Sequence, residues 1–263
     1  MTAKDDRYNI RVLDRAISVL QTLSDGKPRT LVELSDAIGL NNSTTFRLVS
    51  SLASHNFLER DEQSGKYTLG LACLELARSY QINNHIRRAA LPELETLRDA
   101  TGETIHLAIL DRMEVFYLEK LHGLHAIGLM SSHIGGRALA YCTGLGKLLL
   151  AYTDPERVRA HYEKNGFVRF TDTTITDIDR LLGEFENIRR QGYAFDWGEH
   201  EPDVRCVAAP IFDSDGQVVA AISISGPASR MDPLESNQAR INSIQHAAAE
   251  ISARLGYHQY QPS

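Results

Sequence analysis

The N-terminal third of the chain carries apolar residues at the three- and four-residue spacing of amphipathic helices. A first stripe occupies positions 10–23, and the turn-forming sequence 25–28 follows it. A second, shorter stripe begins after Thr30, whose hydroxyl precedes the Glu33 carboxylate by three positions, the spacing of a capping box. Gly39 follows this stripe, and glycine readily leaves a helix with a positive φ. The pattern predicts two helices, of which the second is short and ends at Gly39.

A third helix and a hairpin are predicted between residues 41 and 69. Residues 41–45 are Asn-Asn-Ser-Thr-Thr, which favours a helix start. The apolar face expected of this helix consists of Phe46, Val49, Leu52 and Ala53. Two strand-like runs, 57–60 and 66–69, then flank a turn-forming pentapeptide. Two helices joined by a short turn and followed by a hairpin have the order of a winged helix-turn-helix.

This unit predicts DNA binding, because the second helix of a helix-turn-helix enters the major groove and presents polar side chains to bases and phosphates. The residues expected to contact DNA are Thr30, Asn42, Ser43, Thr44, Thr45, Arg47, Ser50 and Lys66. An alternative is a winged unit used only for protein contacts. Residues 1–70 hold 9 Lys and Arg against 9 Asp and Glu, so the unit is neutral. Binding is therefore expected to need more than one copy of it.

The segment 71–100 is expected to be a mostly helical connector. Its apolar residues recur at helical spacing, with interruptions near Asn83-Asn84 and at Pro92. The apolar stripes exceed what a solvated linker needs. They fit either helix pairing between subunits or packing against the core of the chain itself.

From residue 101 onwards the apolar period changes to two, which indicates strands. Alternating runs at 104–110 and 115–120 predict a β-hairpin, and 204–212 and 218–225 predict a second strand pair joined by a strong turn. An amphipathic helix is expected to open at Thr176 and Asp179 and to end at Gly192, and a last helix is expected over 235–255. Hairpins and helices that do not alternate as βαβ units predict an α+β domain at 101–257, followed by a tail at 258–263.

A glycine-containing helix start at 143–151 is a candidate anion site. Its first backbone amides lie at the positive end of the helix dipole, where a carboxylate or phosphate can bind. The segment lacks the full spacing of a phosphate-binding loop, and Leu148 follows Lys147 where that motif has Ser or Thr. Nucleotide hydrolysis is therefore not expected.

Composition narrows the class of protein. The 263 residues are 43% hydrophobic and 24% charged, which allows one small and one medium domain with real cores. The net charge of −6 lies outside the neutral N-terminal unit. No signal segment or membrane span is evident, so a cytoplasmic protein is expected. Cys73, Cys142 and Cys206 are too scattered for a disulfide framework and are expected to be reduced thiols.

Two other classes of protein, an enzyme and a zinc-binding protein, would both depend on residues 199–206. An enzyme would need Cys206 as a thiolate beside His200 and Glu199, but no oxyanion loop accompanies them. A zinc site would use the same three residues without the paired ligands usual for zinc. No catalytic residue, metal or cofactor is therefore expected.

Three motifs together support a family resemblance. They are the winged unit, the segment from Ile134-Gly135-Gly136-Arg137 to Lys147, and the run from Gly192 through 205–210 (Arg-Cys-Val-Ala-Ala-Pro) to 221–227 (Ala-Ile-Ser-Ile-Ser-Gly-Pro). Over nearly its whole length the chain resembles the isocitrate lyase regulator (IclR) family. Its ending, 251–258, is most similar to the branch that includes the repressor responsive to 2-keto-3-deoxygluconate.

The resemblance implies a transcriptional regulator that acts as a homodimer or dimer of dimers on double-stranded operator DNA. It also implies a GAF-like C-terminal domain that binds a small carboxylate metabolite, such as a sugar acid or 2-oxo acid. A repressor is expected, and an activator responding to another small molecule is the alternative. Carried over from the glyoxylate- and pyruvate-binding members, the effector-binding positions are Gly144, Leu145, Asp196, Cys206, Ser223 and Ser225.

Strand alternation independently puts the Ser223 and Ser225 hydroxyls on one face. The chain departs from the usual family pattern at two positions, the large Trp197 after Asp196 and the bulky Leu145. Both would change the shape of the pocket. Further polar contacts to the effector are expected from His106, Tyr117 and Arg137.

Overall fold

The computed structural model describes residues 10–124, 130–233 and 238–257. The chain divides into two compact units, with the boundary between Asn83 and Asn84. Within the described ranges, none of the helices combines the length and the apolar run that crossing a bilayer requires. The predicted tail at 258–263 lies outside the described residues.

The N-terminal unit contains three helices and a two-stranded hairpin. The helices are α1 (Arg11–Thr22), α2 (Leu31–Ile38) and α3 (Asn42–Ser54), and the antiparallel strands are β1 (Leu58–Arg60) and β2 (Tyr67–Leu69). They enclose a small core centred on Val19, Leu23, Leu34, Val49, Leu58 and Tyr67. This order confirms the predicted winged helix-turn-helix.

The predicted capping signals of α2 are present at both ends. The Glu33 backbone N–H donates to the Thr30 hydroxyl at 3.3 Å, and the Thr30 N–H donates to the Glu33 carboxylate at 2.7 Å. Gly39 ends the helix with a φ of 65°. The capping box and the left-handed glycine satisfy polar groups that a helix leaves unpaired at its ends.

The predicted apolar face of α3 is wrong at one position. Phe46 is 52% exposed, whereas Thr45 is fully buried together with Val49. Burial of Thr45 is tolerated because its hydroxyl donates to the Asn41 carbonyl at 3.1 Å, one turn earlier. The exposed face of α3 therefore includes an aromatic ring among its polar residues.

The predicted connector consists of two helices, α4 (Leu71–Asn83) and α5 (His85–Thr101). The first belongs to the N-terminal unit and the second to the C-terminal unit. The helix break falls at Asn84, which caps α5 by accepting the Arg87 N–H at 3.0 Å. The predicted interruption at Pro92 is wrong, because α5 continues through it.

The C-terminal unit is built on one antiparallel sheet of six strands in the order β5-β4-β3-β8-β7-β6. The strands are β3 (Thr104–Asp111), β4 (Glu114–Leu121), β5 (Arg137–Leu139), β6 (Ala194–Asp196), β7 (Val204–Phe212) and β8 (Val218–Pro227). The helices are α6 (Gly144–Ala151), α7 (Pro155–Asn165), α8 (Ile178–Gln191), α9 (Ala228–Met231) and α10 (Gln238–Arg254). The α+β prediction is confirmed.

Each face of this sheet has its own core. One core joins α5 and α10 to side chains such as Leu107, Val207 and Ile222. The other joins α6, α7 and α8 to the alternate positions of the same strands, including Ala108, Ala208 and Ala221. The small residues on this second face leave room for α6 to lie close to the sheet.

Several boundaries differ from the predictions. Helix α8 begins at Ile178 with Asp177 as its cap, rather than at Thr176 and Asp179, because the Asp177 carboxylate accepts the Arg180 N–H at 2.8 Å. Helix α10 is described from Gln238, so the predicted start at Glu235 lies outside the described residues. The short strands β5 and β6 and the helices α7 and α9 were not predicted.

Candidate functional site

A cavity of about 120 Å³ lies between the N-terminus of α6 and the sheet strands β3, β6, β7 and β8. We call it the α6 cavity. All six positions predicted to bind an effector line it, namely Gly144, Leu145, Asp196, Cys206, Ser223 and Ser225. The fold thus brings together residues that are up to 81 positions apart in the sequence.

The start of α6 supplies the backbone side of the α6 cavity. Thr143 caps the helix by accepting the Gly146 N–H at 3.1 Å. Gly144 and Leu145 are the first two helical residues, and N–H groups at these positions have no acceptor within the helix. A Cβ on Gly146 would lie 2.2 Å from the Ala140 carbonyl oxygen, so only glycine allows the helix to start here. These amides are the ones for which the sequence predicts anion binding.

The side chains of the cavity come from neighbouring strands in register. Asp196 of β6 pairs with Cys206 of β7, and Cys206 in turn pairs with Ser225 of β8. Ser223, two residues along β8, pairs with His106 of β3. The Ser223 and Ser225 hydroxyls lie 3.2 Å apart, which confirms that they share one face.

His106 connects the two serines to the opposite wall. Its Nδ1 lies 3.3 Å from the Ser223 hydroxyl and 3.4 Å from that of Ser225, while its Nε2 lies 2.9 Å from the Ser132 hydroxyl. Burial lowers the pKa of His106 to about 3, and the nearby Lys120 ammonium adds to the effect. The imidazole is therefore neutral at neutral pH, with one nitrogen able to donate and the other to accept.

The Asp196 carboxyl is held in place by backbone donors. One of its oxygens accepts the N–H groups of Gly198 at 3.0 Å and Glu199 at 2.9 Å. Burial raises its pKa, and these two hydrogen bonds and the Lys147 ammonium partly oppose that rise. Its second oxygen accepts no hydrogen bond among the described residues, which makes it a candidate partner for a polar ligand in the α6 cavity.

Comparison with protein families places this arrangement among transcriptional regulators. Residues 79–253 match the model of the bacterial transcriptional regulator IclR C-terminal domain, and residues 12–62 match that of the IclR helix-turn-helix domain. The HTH-type transcriptional regulator KdgR of Escherichia coli K12 is 34% identical over 94% of this chain and 93% of its own length. The chain belongs to the IclR family. The matched families and relatives are transcriptional regulators, not enzymes.

Two further IclR relatives bear on repression and on ligand binding. The HTH-type transcriptional repressor AllR of Salmonella paratyphi A is 34% identical over 94% of this chain and 90% of its own length. A crystal structure of an IclR homologue from Microbacterium hydrocarbonoxydans, complexed with 4-hydroxybenzoate, matches with a TM-score of 0.81 and 30% identity. That match covers 93% of this chain and 98% of the homologue. The C-terminal unit is thus an effector-binding domain of the IclR type.

The chemistry of Cys206 agrees with a binding site rather than an enzymatic one. Burial raises the pKa of its thiol to about 12, and the nearby Asp196 carboxylate adds to the rise. The group is therefore a thiol at neutral pH, and the thiol is not the nucleophilic form of cysteine. Glu199, which the enzyme alternative would need beside Cys206, pairs with Lys147 instead.

The zinc alternative finds no geometric support in the described parts of the chain. No cluster of three or more His, Cys, Asp and Glu side chains there is arranged to hold a metal ion. His200 lines the α6 cavity and lies against Phe170, with ring centroids 4.5 Å apart.

One wall of the α6 cavity, the segment 130–133, was not predicted from the sequence. The Lys120 ammonium donates to the carbonyl groups of Met130 and Ser132. The Glu201 carboxylate accepts both the backbone N–H and the hydroxyl of Ser131, at 3.1 and 2.8 Å. Such a segment has neither strand nor helix periodicity, so the pattern of apolar residues cannot identify it.

The other predicted positions have mixed outcomes. His106, Tyr117 and Arg137 line the α6 cavity, but the Arg137 guanidinium is paired with Asp111 and Glu114. Leu145 lines the cavity as well, whereas Trp197 does not: it packs against Phe195 and lines a second cavity. Trp197 therefore does not reshape the α6 cavity directly.

The predicted DNA-contacting residues are mostly accessible. Asn42, Ser43, Arg47 and Ser50 are exposed on or at the start of α3, and Thr30, Thr44 and Lys66 are partly exposed. Thr45 is the exception, because its fully buried side chain cannot reach a DNA groove. The prediction that Thr45 contacts DNA is wrong. Phe46 occupies the exposed face instead.

Proposed function

We propose that this IclR-family regulator is a repressor whose operator affinity is set by a small carboxylate metabolite in the α6 cavity. The ligand carboxylate would accept hydrogen bonds from the Gly144 and Leu145 amides. The Ser223 and Ser225 hydroxyls would donate to its oxo group, and the Asp196 carboxylate would accept a hydrogen bond from a ligand hydroxyl group. Repression is supported by the AllR relative, which is a repressor.

The observation that carries this proposal is the convergence of a helix N-terminus and buried polar side chains on one small cavity. The helix end favours a negative charge, and the side chains of Asp196, Cys206, Ser223 and Ser225 contribute hydrogen-bond donors and acceptors. The homologue from Microbacterium hydrocarbonoxydans holds 4-hydroxybenzoate, which is itself a carboxylate with a hydroxyl group.

The size of the α6 cavity favours a short 2-oxo acid. An engineered protein cavity of about 150 Å³ accommodates benzene, and the α6 cavity is smaller, at about 120 Å³, so it favours a ligand smaller than benzene. Glyoxylate and pyruvate fall within this limit, whereas a six-carbon sugar acid would require the cavity to widen.

A sugar acid is the second candidate, because the cavity is rich in hydroxyl partners. Ser223, Ser225 and Ser132 form one network through His106. A polyhydroxy chain would exchange bonds with more of these groups than pyruvate can.

DNA recognition would come from the exposed face of α3 with the hairpin behind it. Because this unit is neutral, two copies are needed to gather enough phosphate contacts. We infer a homodimer or a dimer of dimers on a pseudopalindromic operator, in which half-site spacing reflects the pairing of subunits. Such a regulator of duplex DNA would act in the cytoplasm.

The surface of α4 is the candidate pairing surface. This helix has no buried residue, and Leu71, Leu74, Leu76 and Ile82 are all more than half exposed. At helical spacing Leu71, Leu74 and Ile82 fall on one side of α4 and Leu76 on the other, and an exposed apolar patch is typical of an interaction site. Pairing through α4 would set the distance between two α3 helices.

A thermal-shift screen of the full chain tests the proposed ligand class. The screen compares three acids with matched molecules that lack the carboxylate. The acids are glyoxylate, pyruvate and 2-keto-3-deoxygluconate. A ligand that binds only the folded state raises the melting temperature. At least one of the three acids should do so and its matched molecule should not; equal shifts with both would contradict a carboxylate site.

A further inference from the structure

A second cavity of about 430 Å³ lies beside α8 in the C-terminal unit. We call it the α8 cavity. Its buried residues are Lys147, Ile175 and Glu199, and its accessible residues include Asp172, Thr173 and Arg180. None of these residues lines the α6 cavity. The α8 cavity thus has a charged, buried interior and a polar, accessible edge.

The interior of the α8 cavity contains an incompletely satisfied ion pair. The Lys147 ammonium bonds Oε1 of Glu199, and the two side chains are only 1% and 2% exposed. Oε2 of Glu199 is buried and has no hydrogen-bond partner among the described residues. A buried carboxylate oxygen without a donor raises the free energy of the folded state, because it has lost water and gained nothing in exchange. A ligand donor at this oxygen would remove that penalty.

The backbone around Glu199 is fixed by three threonine hydroxyls. Thr174 donates to the Glu199 carbonyl at 2.6 Å, and Thr171 and Thr173 donate to the Gly198 carbonyl at 2.7 and 3.0 Å. On the other side, the Glu199 N–H donates to Asp196. These bonds hold the backbone of Glu199, and with it the region around Oε2, in place without a ligand.

A positively charged and a negatively charged side chain, Arg180 and Glu184, lie at the accessible edge of the α8 cavity. The Arg180 guanidinium contacts no carboxylate and no hydrogen-bond acceptor among the residues described, and it lies on α8 one turn before Glu184. The Glu184 carboxylate lies 3.8 Å from the Lys147 ammonium, so a single lysine faces two acidic groups. Among the described residues, the α8 cavity thus has one guanidinium without a carboxylate partner, that of Arg180, and more carboxylates than the Lys147 ammonium can pair with.

We propose that the α8 cavity is a second ligand site, which binds a small zwitterion of the free α-amino acid class. The ligand ammonium donates to Oε2 of Glu199 and is attracted by Glu184. The ligand carboxylate pairs with the Arg180 guanidinium.

Charge explains why this cavity takes a different ligand from the α6 cavity. Asp172, Glu184 and Glu199 outnumber Lys147 and Arg180 by one, so a simple anion would meet a net negative lining. A zwitterion is neutral overall and can pair with both the acidic and the basic side chains of the α8 cavity. The Trp197 side chain, which also lines the cavity, supplies an apolar surface for the amino acid side chain.

Calorimetric titration of the full chain with each of the twenty free amino acids tests this site. At least one amino acid is expected to bind, and the amine and the carboxylic acid of the same skeleton should each bind at least tenfold more weakly. Arg180→Ala and Glu199→Gln should each weaken the binding by about tenfold or more, because each removes a charged hydrogen bond. Arg157→Ala, which deletes an exposed arginine on α7, is the matched control and should bind as the parent does.

Three results would overturn the proposal. They are the absence of binding by any amino acid at millimolar concentration, unchanged affinity in Arg180→Ala, and equally tight binding of the carboxylic acid without its amino group. Arg180 is exposed, so its variant keeps the test decisive even if Glu199→Gln does not fold. Gly144 lines the α6 cavity and does not line the α8 cavity, so amino acid binding should survive Gly144→Ala.

Discussion

Gly144 and Cys206 are in such close contact that a Cβ on the glycine would lie 3.1 Å from the cysteine Sγ. This contact places the first turn of α6 directly against strand β7. The backbone amides of the helix start can therefore share one small cavity with side chains of the sheet. Any side chain at position 144 would occupy space in the α6 cavity that the proposed ligand carboxylate would use.

Gly144→Ala is expected to weaken binding of the effector by about tenfold or more, because the added methyl group must displace Cys206 or the helix start. Isothermal titration with the carboxylate found in the ligand screen measures this change. Gly183→Ala in α8 is the matched control, since a Cβ there has nothing within 4 Å. The control should keep its affinity and gain up to about 1 kcal/mol of helix stability. Equal losses in both variants would contradict a special role for Gly144.

Arg47→Ala is expected to reduce operator affinity without affecting the effector, because Arg47 is exposed on α3 in the N-terminal unit. If it bonds a phosphate, the slope of log affinity against log salt should fall by about one for each bound copy. Fluorescence anisotropy with a labelled operator duplex over a salt series measures both values. Arg157→Ala removes the same charge from α7 and should leave them unchanged. A loss of effector binding in Arg47→Ala would indicate misfolding rather than a lost DNA contact.

His106 should make the folded state sensitive to acid. Its pKa is lowered from 6.5 to about 3 by burial, so between these values only the unfolded chain takes up the proton. The free energy of unfolding therefore falls as pH is lowered below about 6.5, by up to about 1.4 kcal/mol per pH unit from this residue.

The acid effect can be isolated with His106→Gln, which lacks the titrating group. Urea unfolding of both proteins at pH 7 and pH 5.5 gives the difference between their unfolding free energies. That difference should shrink or reverse in favour of the variant at the lower pH. An identical pH dependence of the two proteins would show that His106 is not held neutral.

Lys147→Met is expected to destabilise the C-terminal unit by about 3–5 kcal/mol, because Glu199 remains buried without its partner. Burial raises the pKa of Glu199 above its ordinary range, and loss of the lysine raises it further. The double variant Lys147→Met/Glu199→Gln removes both charges and should recover much of the lost stability. Chemical denaturation of the three proteins measures these effects. No recovery in the double variant would show that packing by the lysine stem, rather than its charge, is what matters.

Leu74→Asp is expected to weaken subunit pairing, because it places a charge in the exposed apolar surface of α4. Sedimentation velocity over a range of protein concentrations measures the change in association. Val168→Asp, at another exposed apolar position in the C-terminal unit, is the matched control. Unchanged association in Leu74→Asp would remove α4 from the pairing surface.

Local polar signals were sufficient to predict the N-terminal unit. The Thr30 and Glu33 pair and Gly39 act within a few residues of one another, so the sequence contains their whole interaction. The face of α3 was harder to assign, because the stripe through Thr45 and the stripe through Phe46 both include Val49 at helical spacing. Thr45 is buried because the Asn41 carbonyl accepts its hydroxyl, and hydrophobicity alone does not register that bond.

Site prediction in the C-terminal unit named residues that line the α6 cavity where strand alternation or a helix start determines direction, as for Gly144 and Ser223, and their role in ligand binding stays a prediction. It failed for side chains that meet through long-range folding. Lys147 was interpreted only through the motif it does not complete, whereas its burial against Glu199 depends on a contact 52 positions along the chain. The wall at 130–133 and the α8 cavity likewise depend on contacts between residues far apart in the sequence, so the sequence pattern did not predict them.

The most direct test of the account is the operator affinity of the full chain, measured by anisotropy on duplexes selected from a random pool, with glyoxylate, pyruvate and 2-keto-3-deoxygluconate titrated in turn. At least one acid should shift the affinity of the parent protein by about 5–150-fold, with little shift in Gly144→Ala. Saturating operator should change the affinity for that acid by the same factor. An operator affinity that none of the acids changes, or a full shift retained in Gly144→Ala, would contradict control through the α6 cavity.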